Sequence, residues 1–313
     1  MLSWGQPKVA RVKYPDGVYK TFEVNHRDKA SVLFDQAVTG ISLDEQKYFS
    51  LCFYDTFDGT RYWMRNDTRI LQQLRYPDQK RTQDRRYKGQ PNTIGYIPHE
   101  LPWNFSLEMK FYPPSPSTLV DDLARYYVFM QLKQDALTGL LKTTINDFTL
   151  LGALLVQLRF GDAQITMGCE FREFVASLNL DLSIDSAIQA KIIDQHKKLV
   201  GVTTTKAMNR FMHICAGLPT YGLQFFAAKD RNQRKVDIGI GTFGIKIFRN
   251  GVVIYTYPQN SFRLFIDKEK VFITDVVRQY NGSADHIFEL ESHEIHSGLL
   301  YKLYHSINDF FRI

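Results

Sequence analysis

Cysteine is scarce in this sequence, with three in 313 residues: Cys52, Cys169 and Cys215. An odd, widely spaced set provides neither a disulfide framework nor zinc-ligand spacing, so all three are expected to be small buried hydrophobes. No run approaches the roughly 20 apolar residues that cross a bilayer as a helix. Met1–Gln6 also lacks the apolar stretch of a signal peptide. These absences imply a reducing, intracellular setting in which the glycosylation-type triplets at Asn66, Asn104 and Asn281 carry no sugar.

Catalytic signatures are missing too. There is no G-x-S-x-G, P-loop or cysteine-phosphatase motif. Gly239-Ile240-Gly241-Thr242-Phe243-Gly244 fits G-x-G-x-x-G, but a dinucleotide site needs a helix to open there. Ile245-Lys246-Ile247-Phe248 alternates as a strand instead, so a tight turn is expected. His293-Glu294-Ile295-His296 lacks the i, i+4 histidines of a zinc-protease helix and reads as a polar helix start. The chain is expected to be non-enzymatic, with no cofactor and no metal.

What is present is ordinary globular composition, 44% hydrophobic and 23% charged, with a net charge of +6. Residues 1–113 hold 17 basic and 13 acidic side chains, 114–218 hold 10 and 10, and 219–313 hold 12 and 10. The mild basic excess at the two ends suits an anionic partner such as lipid headgroups. It is too small to argue for nucleic acid, and no nucleic-acid motif accompanies it.

The apolar period changes twice along the chain. Residues 8–24 read as a hairpin turning at Pro15-Asp16-Gly17, with Ala10, Val12 and Tyr14 on one arm and Val18, Phe22 and Val24 on the other. A helix near Ala30–Val38 and an alternating strand over Tyr48–Tyr54 follow, the latter with Phe49, Leu51 and Phe53 on one face. A basic, turn-rich loop occupies 76–102, before a strand over Ser106–Phe111. Residues 117–218 show helical spacing. Thr118 and Asp121 form a capping-box pattern, and Asn146 is placed to cap a helix that ends at Gly161. Two further helices run near Ile184–Val200 and Thr204–Ala216. From Tyr221 the period becomes two, through strands at 223–227, 236–240, 244–248, 252–257, 262–266, 271–277 and 286–290. A last helix carries Ile295, Leu299, Leu303, Ile307 and Phe310 or Phe311.

Particular motifs add to this pattern. Pro102-Trp103-Asn104-Phe105-Ser106 with Lys110-Phe111-Tyr112-Pro113-Pro114, and Ala124-Arg125-Tyr126-Tyr127 with Gln131-Leu132-Lys133-Gln134-Asp135 and Thr138-Gly139, resemble the FERM domain of the protein 4.1 branch. So do Leu151-Gly152-Ala153, Phe160-Gly161-Asp162, Tyr221-Gly222 with Ala228-Lys229-Asp230, and the terminal Phe310-Phe311-Arg312-Ile313. The resemblance implies a multi-domain α+β fold of three lobes. These are a ubiquitin-like β-grasp over 1–113, an acyl-CoA-binding-protein-like helical bundle over 114–218, and a PH/PTB-like β-roll with a C-terminal helix over 219–313. It also implies a peripheral adaptor at the inner face of the plasma membrane and cell cortex. The implied partners are cytoplasmic tails of membrane proteins, acidic phospholipids, and cytoskeletal or scaffold proteins. A membrane-targeting module of a larger enzyme, such as a FERM-containing tyrosine phosphatase, is the alternative. Ezrin-type members place a lysine just before one strand of the roll, within a lipid site between the first and third lobes. Gln259 and Asn260 stand there instead, which argues against that site.

Two binding regions follow from the resemblance. Tail peptides would lie between Val271–Val277, taken as an open strand edge, and the last helix. Phe272, Thr274, Leu300 and Tyr304 are the expected lining; the apolar ones could equally be core. Acidic lipid would meet Lys80, Arg81, Arg85, Arg86 and Lys88, helped by Arg65 and Arg69. Each such cation contributes about 1 kcal/mol near an anionic leaflet. Asp78 and Asp84 offset part of this, and a solvated charged loop is the competing account.

Overall fold

The computed structural model describes residues 7–25, 27–56, 59–74, 103–163, 168–178, 186–268, 270–275, 286–291 and 293–311, the last without the side chains of 293–297. The loop at 76–102, including Lys80, Arg81, Arg85, Arg86 and Lys88, lies outside them. The chain forms two compact units. One joins Met1–Tyr112 to Gly222–Ile313, and the other is Pro113–Tyr221.

The first unit opens with strands β1 (Lys8–Lys13) and β2 (Tyr19–Val24). The Asp16 carboxylate accepts from Val18 N at 2.9 Å and holds the turn. Val18 lies in that turn, half exposed at 51%, rather than on the buried face of the returning strand. Helix α1 (Ala30–Thr39) buries Ala30, Leu33, Phe34, Ala37 and Val38. Tyr14 Oη fixes it by donating to Ala37 O at 3.0 Å. Strands β3 (Phe49–Tyr54) and β4 (Arg61–Trp63), a short helix α2 (Ile70–Leu74) and strand β5 (Trp103–Met109) complete this lobe.

The strand order is β2-β1-β5-β3-β4, with β5 parallel to β1 and antiparallel to β3. That central position explains why β5 begins at Trp103, three residues before the expected Ser106. Trp103 pairs with Ala10, and both are buried. The strand stops at Met109 because Lys110 N and Phe111 N both turn to Tyr48 O. The expected alternation in β3 is absent. Phe49 to Phe53 are all buried, so both faces of the strand are covered.

The same unit's second sheet is a seven-stranded antiparallel roll: β6 (Gln224–Asp230), β7 (Lys235–Gly241), β8 (Gly244–Arg249), β9 (Val252–Pro258), β10 (Phe262–Asp267), β11 (Lys270–Asp275) and β12 (His286–Leu290). Its order is β10-β11-β12-β6-β7-β8-β9. The G-x-G-x-x-G run is the β7–β8 hairpin, where Gly241 pairs with Gly244 around Thr242-Phe243. A Cβ on Gly241 would lie 2.3 Å from Gly222 O, and Gly244 has φ +115°. The glycines there serve close packing and a left-handed turn.

The helical unit holds α3 (Asp122–Leu137), α4 (Ile145–Phe160), α5 (Cys169–Ser177), α6 (Ser186–Lys197) and α7 (Thr204–Gly217). Two expected caps differ. Asp121 alone caps α3, accepting from Leu123 N, while Thr118 ends a 3-10 turn and donates to Ser115 O. Thr144 and Asp147 form the capping box of α4, which puts Asn146 inside the first turn. Helix α5 was not expected; its packed face carries Phe171, Phe174 and Val175, with Phe171 and Phe174 against Phe160. Cys169 sits on its first turn and is exposed, unlike the buried Cys52 and Cys215. No described helix is long and apolar enough to cross a membrane.

Candidate functional site

The expected peptide site would lie between the last helix of the roll, α8 (His293–Phe310), and the sheet edge beside it. Val271 and Ile273 on β11 are fully buried. Alternation therefore puts Phe272 and Thr274 on the opposite, outer face of the sheet. There the Phe272 ring packs on Phe265, with centroids 5.8 Å apart, and Phe265 is 64% exposed. Strand β11 pairs with β10 on one side and β12 on the other. Lys270–Ile273 are paired on both sides and have no open edge, which corrects the expectation for that part of Val271–Val277; Thr274 and Asp275 pair with β10, and residues 276 and 277 lie outside the described residues.

Among the described residues β10 stands at one end of the strand order and β9 at the other, and the edge nearer α8 is that of β10. Phe262 on β10 packs on Tyr304 of α8, with ring centroids 5.8 Å apart. Gln259 Nε2 donates to Asn308 Oδ1 at 3.0 Å, tying the β9–β10 turn to the same helix. Leu264 and Ile266 share the face of Phe262 and are half-buried. Of the four expected lining residues, Tyr304 is the one placed beside this edge, half-buried against Phe262. Leu300 is fully buried in the core, because the helix face that carries Leu299, Leu300, Leu303 and Ile307 is the packed one. Leu264 and Ile266, half-buried on the strand at that edge, were not among the expected residues, and Phe262 is buried behind them. Their alternation was legible, but which strand stays unpaired depends on β12 returning to β6, a pairing that no local pattern reports.

A polar seam lies elsewhere in the same unit, between the two sheets. Tyr54 Oη donates to Glu108 Oε1 at 2.7 Å, and Arg61 Nη1 donates to Glu108 Oε2 at 3.1 Å. The Arg61 guanidinium lies 4.7 Å from the Trp63 ring centroid, and Trp63 Nε1 donates to Gln224 Oε1 at 2.9 Å. Lys110 Nζ donates to Ser306 Oγ at 3.1 Å, and Phe111 stacks on Phe310 at 4.6 Å. Burial, and then the Glu108 carboxylate, push the Tyr54 phenol well above its usual range. Burial pulls the Lys110 ammonium down to about 8. Cys52 belongs to the seam as well, and burial, then the Glu108 carboxylate beside it, push its thiol well above the usual range, so it is held as the neutral thiol. These groups act as struts.

The basic surface is only partly described. Arg65 is exposed and ion-paired with Asp67 at 2.9 Å, so its charge is locally offset. The turn beside it is clasped by Gln73, which accepts from Arg65 N and donates to the carbonyls of Arg65 and Thr68. Arg69 is exposed next to it. Among the described residues, no group of three or more His, Cys, Asp or Glu is placed to hold a metal ion.

Comparison with known proteins bears on the whole chain. A FERM N-terminal domain profile matches residues 12–76, and a FERM central domain profile matches residues 114–226. Protein 4.1 of Canis lupus familiaris is 26% identical over 243 residues, covering 78% of this chain and 26% of that protein. Human tyrosine-protein phosphatase non-receptor type 4 is 25% identical over 250 residues, covering 80% of this chain and 24% of that protein. The chain thus spans about a quarter of the length of these curated relatives. In the crystal structure of the FERM and C-terminal domain complex of Drosophila Merlin, the matching chain has the same fold, with a TM-score of 0.74 at 20% identity over 97% of each chain.

Proposed function

Since the chain belongs to the FERM family, we propose that it is a non-catalytic adaptor linking cytoplasmic tails of membrane proteins, and acidic phospholipid, to the cortical cytoskeleton at the inner face of the plasma membrane. The observation that carries this reading is the groove between β10 and α8. Among the described residues the outer edge of β10 has no strand partner, so its backbone N–H and C=O groups are available to an added strand. Half-buried Leu264, Ile266 and Tyr304 supply an apolar wall beside that edge, backed by buried Phe262. Strand addition provides affinity without sequence information, and the wall selects side chains at alternate positions.

The lipid part of the reading rests on composition. Lys80, Arg81, Arg85, Arg86 and Lys88 crowd nine positions of one segment, and the exposed Arg69 belongs to the same lobe. Three functional lobes, 1–113, 114–218 and 219–313, remain the proposed partition. A second reading, a targeting module within a longer signalling enzyme, is favoured by the match to a tyrosine phosphatase of which this chain covers 24%.

Liposome co-sedimentation, with and without phosphoinositide and across a salt series, tests the membrane part. Salt-sensitive binding that falls when Lys80, Arg81, Arg85, Arg86 and Lys88 become alanine supports it. A folded chain that stays in the supernatant of acidic vesicles removes lipid from the function and leaves protein tails alone.

A further inference from the structure

The helical unit carries an open pocket of about 240 Å³ that the reading above does not use. Buried Met212 and Pro116 form its apolar part, and Ser115, Ser117, Arg125, Asn209 and His213 are polar. Three elements meet there: the 3-10 turn Pro116–Thr118, the first turns of α3, and one face of α7, where Asn209, Met212 and His213 stand at i, i+3 and i+4.

The arginine is held in place before any ligand arrives. Arg125 Nη2 donates to Leu119 O at 2.7 Å, and Nη1 donates to Asp122 Oδ1 at 2.9 Å. A guanidinium carries five N–H donors, so three remain. Asp122 is 94% exposed, which makes it a weak competitor for the charge. Ser115 Oγ and Ser117 Oγ lie 2.6 Å apart; one hydroxyl donates to the other, leaving the second hydrogen free to turn outward. The side chains of Asn209 and His213 make no hydrogen bond among the described residues.

Donors therefore outnumber acceptors around one fixed cation. That chemistry suits a tetrahedral oxyanion, for which an arginine fork and short polar donors are matched in geometry. The pocket opens to solvent at the exposed Ser117, Asn209 and His213, so it can take an anion presented on a short stem that rests on Met212. A bilayer is the poorer source. The unit Pro113–Tyr221 carries 10 basic and 10 acidic residues and offers a leaflet no net attraction. We propose that this pocket binds the phosphate monoester of a phosphorylated serine or threonine side chain presented by a partner peptide.

The Met212 methyl group is a reporter inside the pocket, assigned by Met212→Leu and read by NMR in the whole chain. O-phospho-L-serine is the probe, L-serine its control, and phosphoinositide vesicles the second arm. The expected result is a saturable Met212 shift with O-phospho-L-serine and none with L-serine. Asn209→Asp, which adds a like charge and leaves both Arg125 contacts intact, should weaken binding about tenfold or more. Arg125→Met should do the same in protein that retains its helical circular dichroism. A flat titration, an equal response to L-serine, or unchanged affinity in Asn209→Asp overturns the proposal. So does a Met212 shift produced by the vesicles alone, which would make the pocket a headgroup site.

Discussion

Trp63 Nε1 and Gln224 Oε1 form a 2.9 Å hydrogen bond between residues 161 positions apart, tying the last strand of the first sheet's order to the first strand of the roll. Arg61 Nη2 approaches the same oxygen at 3.5 Å. Gln224→Leu keeps the volume but leaves a part-buried indole N–H without its acceptor. Urea denaturation should show a loss of about 1–3 kcal/mol. An unchanged midpoint would mean that water takes over the bond.

Lys110 adds a pH dependence to the same seam. Its folded pKa of about 8 lies below the usual lysine value, so between about 8 and 10.5 the unfolded chain binds more protons than the folded one. Stability from this group therefore rises with pH across that window. Burial raises the Cys52 and Tyr54 values, and these act in the opposite sense at alkaline pH, so a difference measurement is needed. Lys110→Met should be more stable than the parent near pH 7, and that advantage should shrink as pH passes from 8 towards 10.5. Because the side chain is only partly covered, about 1–2 kcal/mol is the expected amplitude. A gap that is flat with pH would show that Lys110 is charged throughout.

Gly244→Ala tests the structural account of the glycine motif. The added Cβ would fall on the carbonyl of Tyr257, at a φ that L-residues rarely adopt. A loss of about 2–4 kcal/mol is expected. Adding NAD or ATP should leave the parent melting temperature where it was. A nucleotide-dependent rise would reopen the phosphate-loop reading.

The α4 cap separates two neighbouring residues. Thr144 Oγ1 accepts from Asp147 N at 3.2 Å, while Asn146 lies inside the helix. Thr144→Ala should cost about 1 kcal/mol in thermal denaturation. Asn146→Ala should be neutral or slightly stabilising, since alanine is the better helix former. The reverse ranking would restore Asn146 as the cap.

Groove and outer face can be told apart by two substitutions. Tyr304→Ala removes the ring that packs on Phe262 and should weaken binding of a receptor-tail peptide about five- to tenfold, read by fluorescence polarisation. Thr274→Trp adds bulk on the opposite face and should leave that affinity unchanged. Equal losses would place the peptide on the outer face, against Phe265 and Phe272.

Periodicity carried the parts of the fold that local sequence encodes. The strands of the roll, α1 and α7 follow from apolar residues at spacing two or 3.6, and Gly161 does end α4. Nine-residue α5 was readable, since Phe171, Phe174, Val175 and Leu178 stand at i, i+3, i+4 and i+7, and its shortness hid it. Strand β3 looked half exposed because Ser50 and Cys52 are small and Tyr54 is polar-tipped. That face meets the roll, and nothing near residue 50 announces Gln224. The groove failed in the same way. Its edge is fixed by which strands pair at long range, and Leu300 and Phe272 looked alike in sequence while one is core and the other lies on the outer face.

The first unit is discontinuous, leaving off at Tyr112 and resuming at Gly222. On the ribosome, Trp63 emerges 161 residues before the glutamine that accepts its hydrogen bond. At about 5–20 residues per second, that interval is roughly 10–30 s. Through it the face bearing Ser50, Cys52 and Tyr54 stays uncovered, while the whole helical insertion is synthesised and is free to fold. The nascent β-grasp therefore passes through a stage in which a half-apolar sheet surface is open to chaperones or to another nascent copy. Polar side chains along that face, Arg61 and Glu108 above all, keep it wetted during the wait and become its struts afterwards.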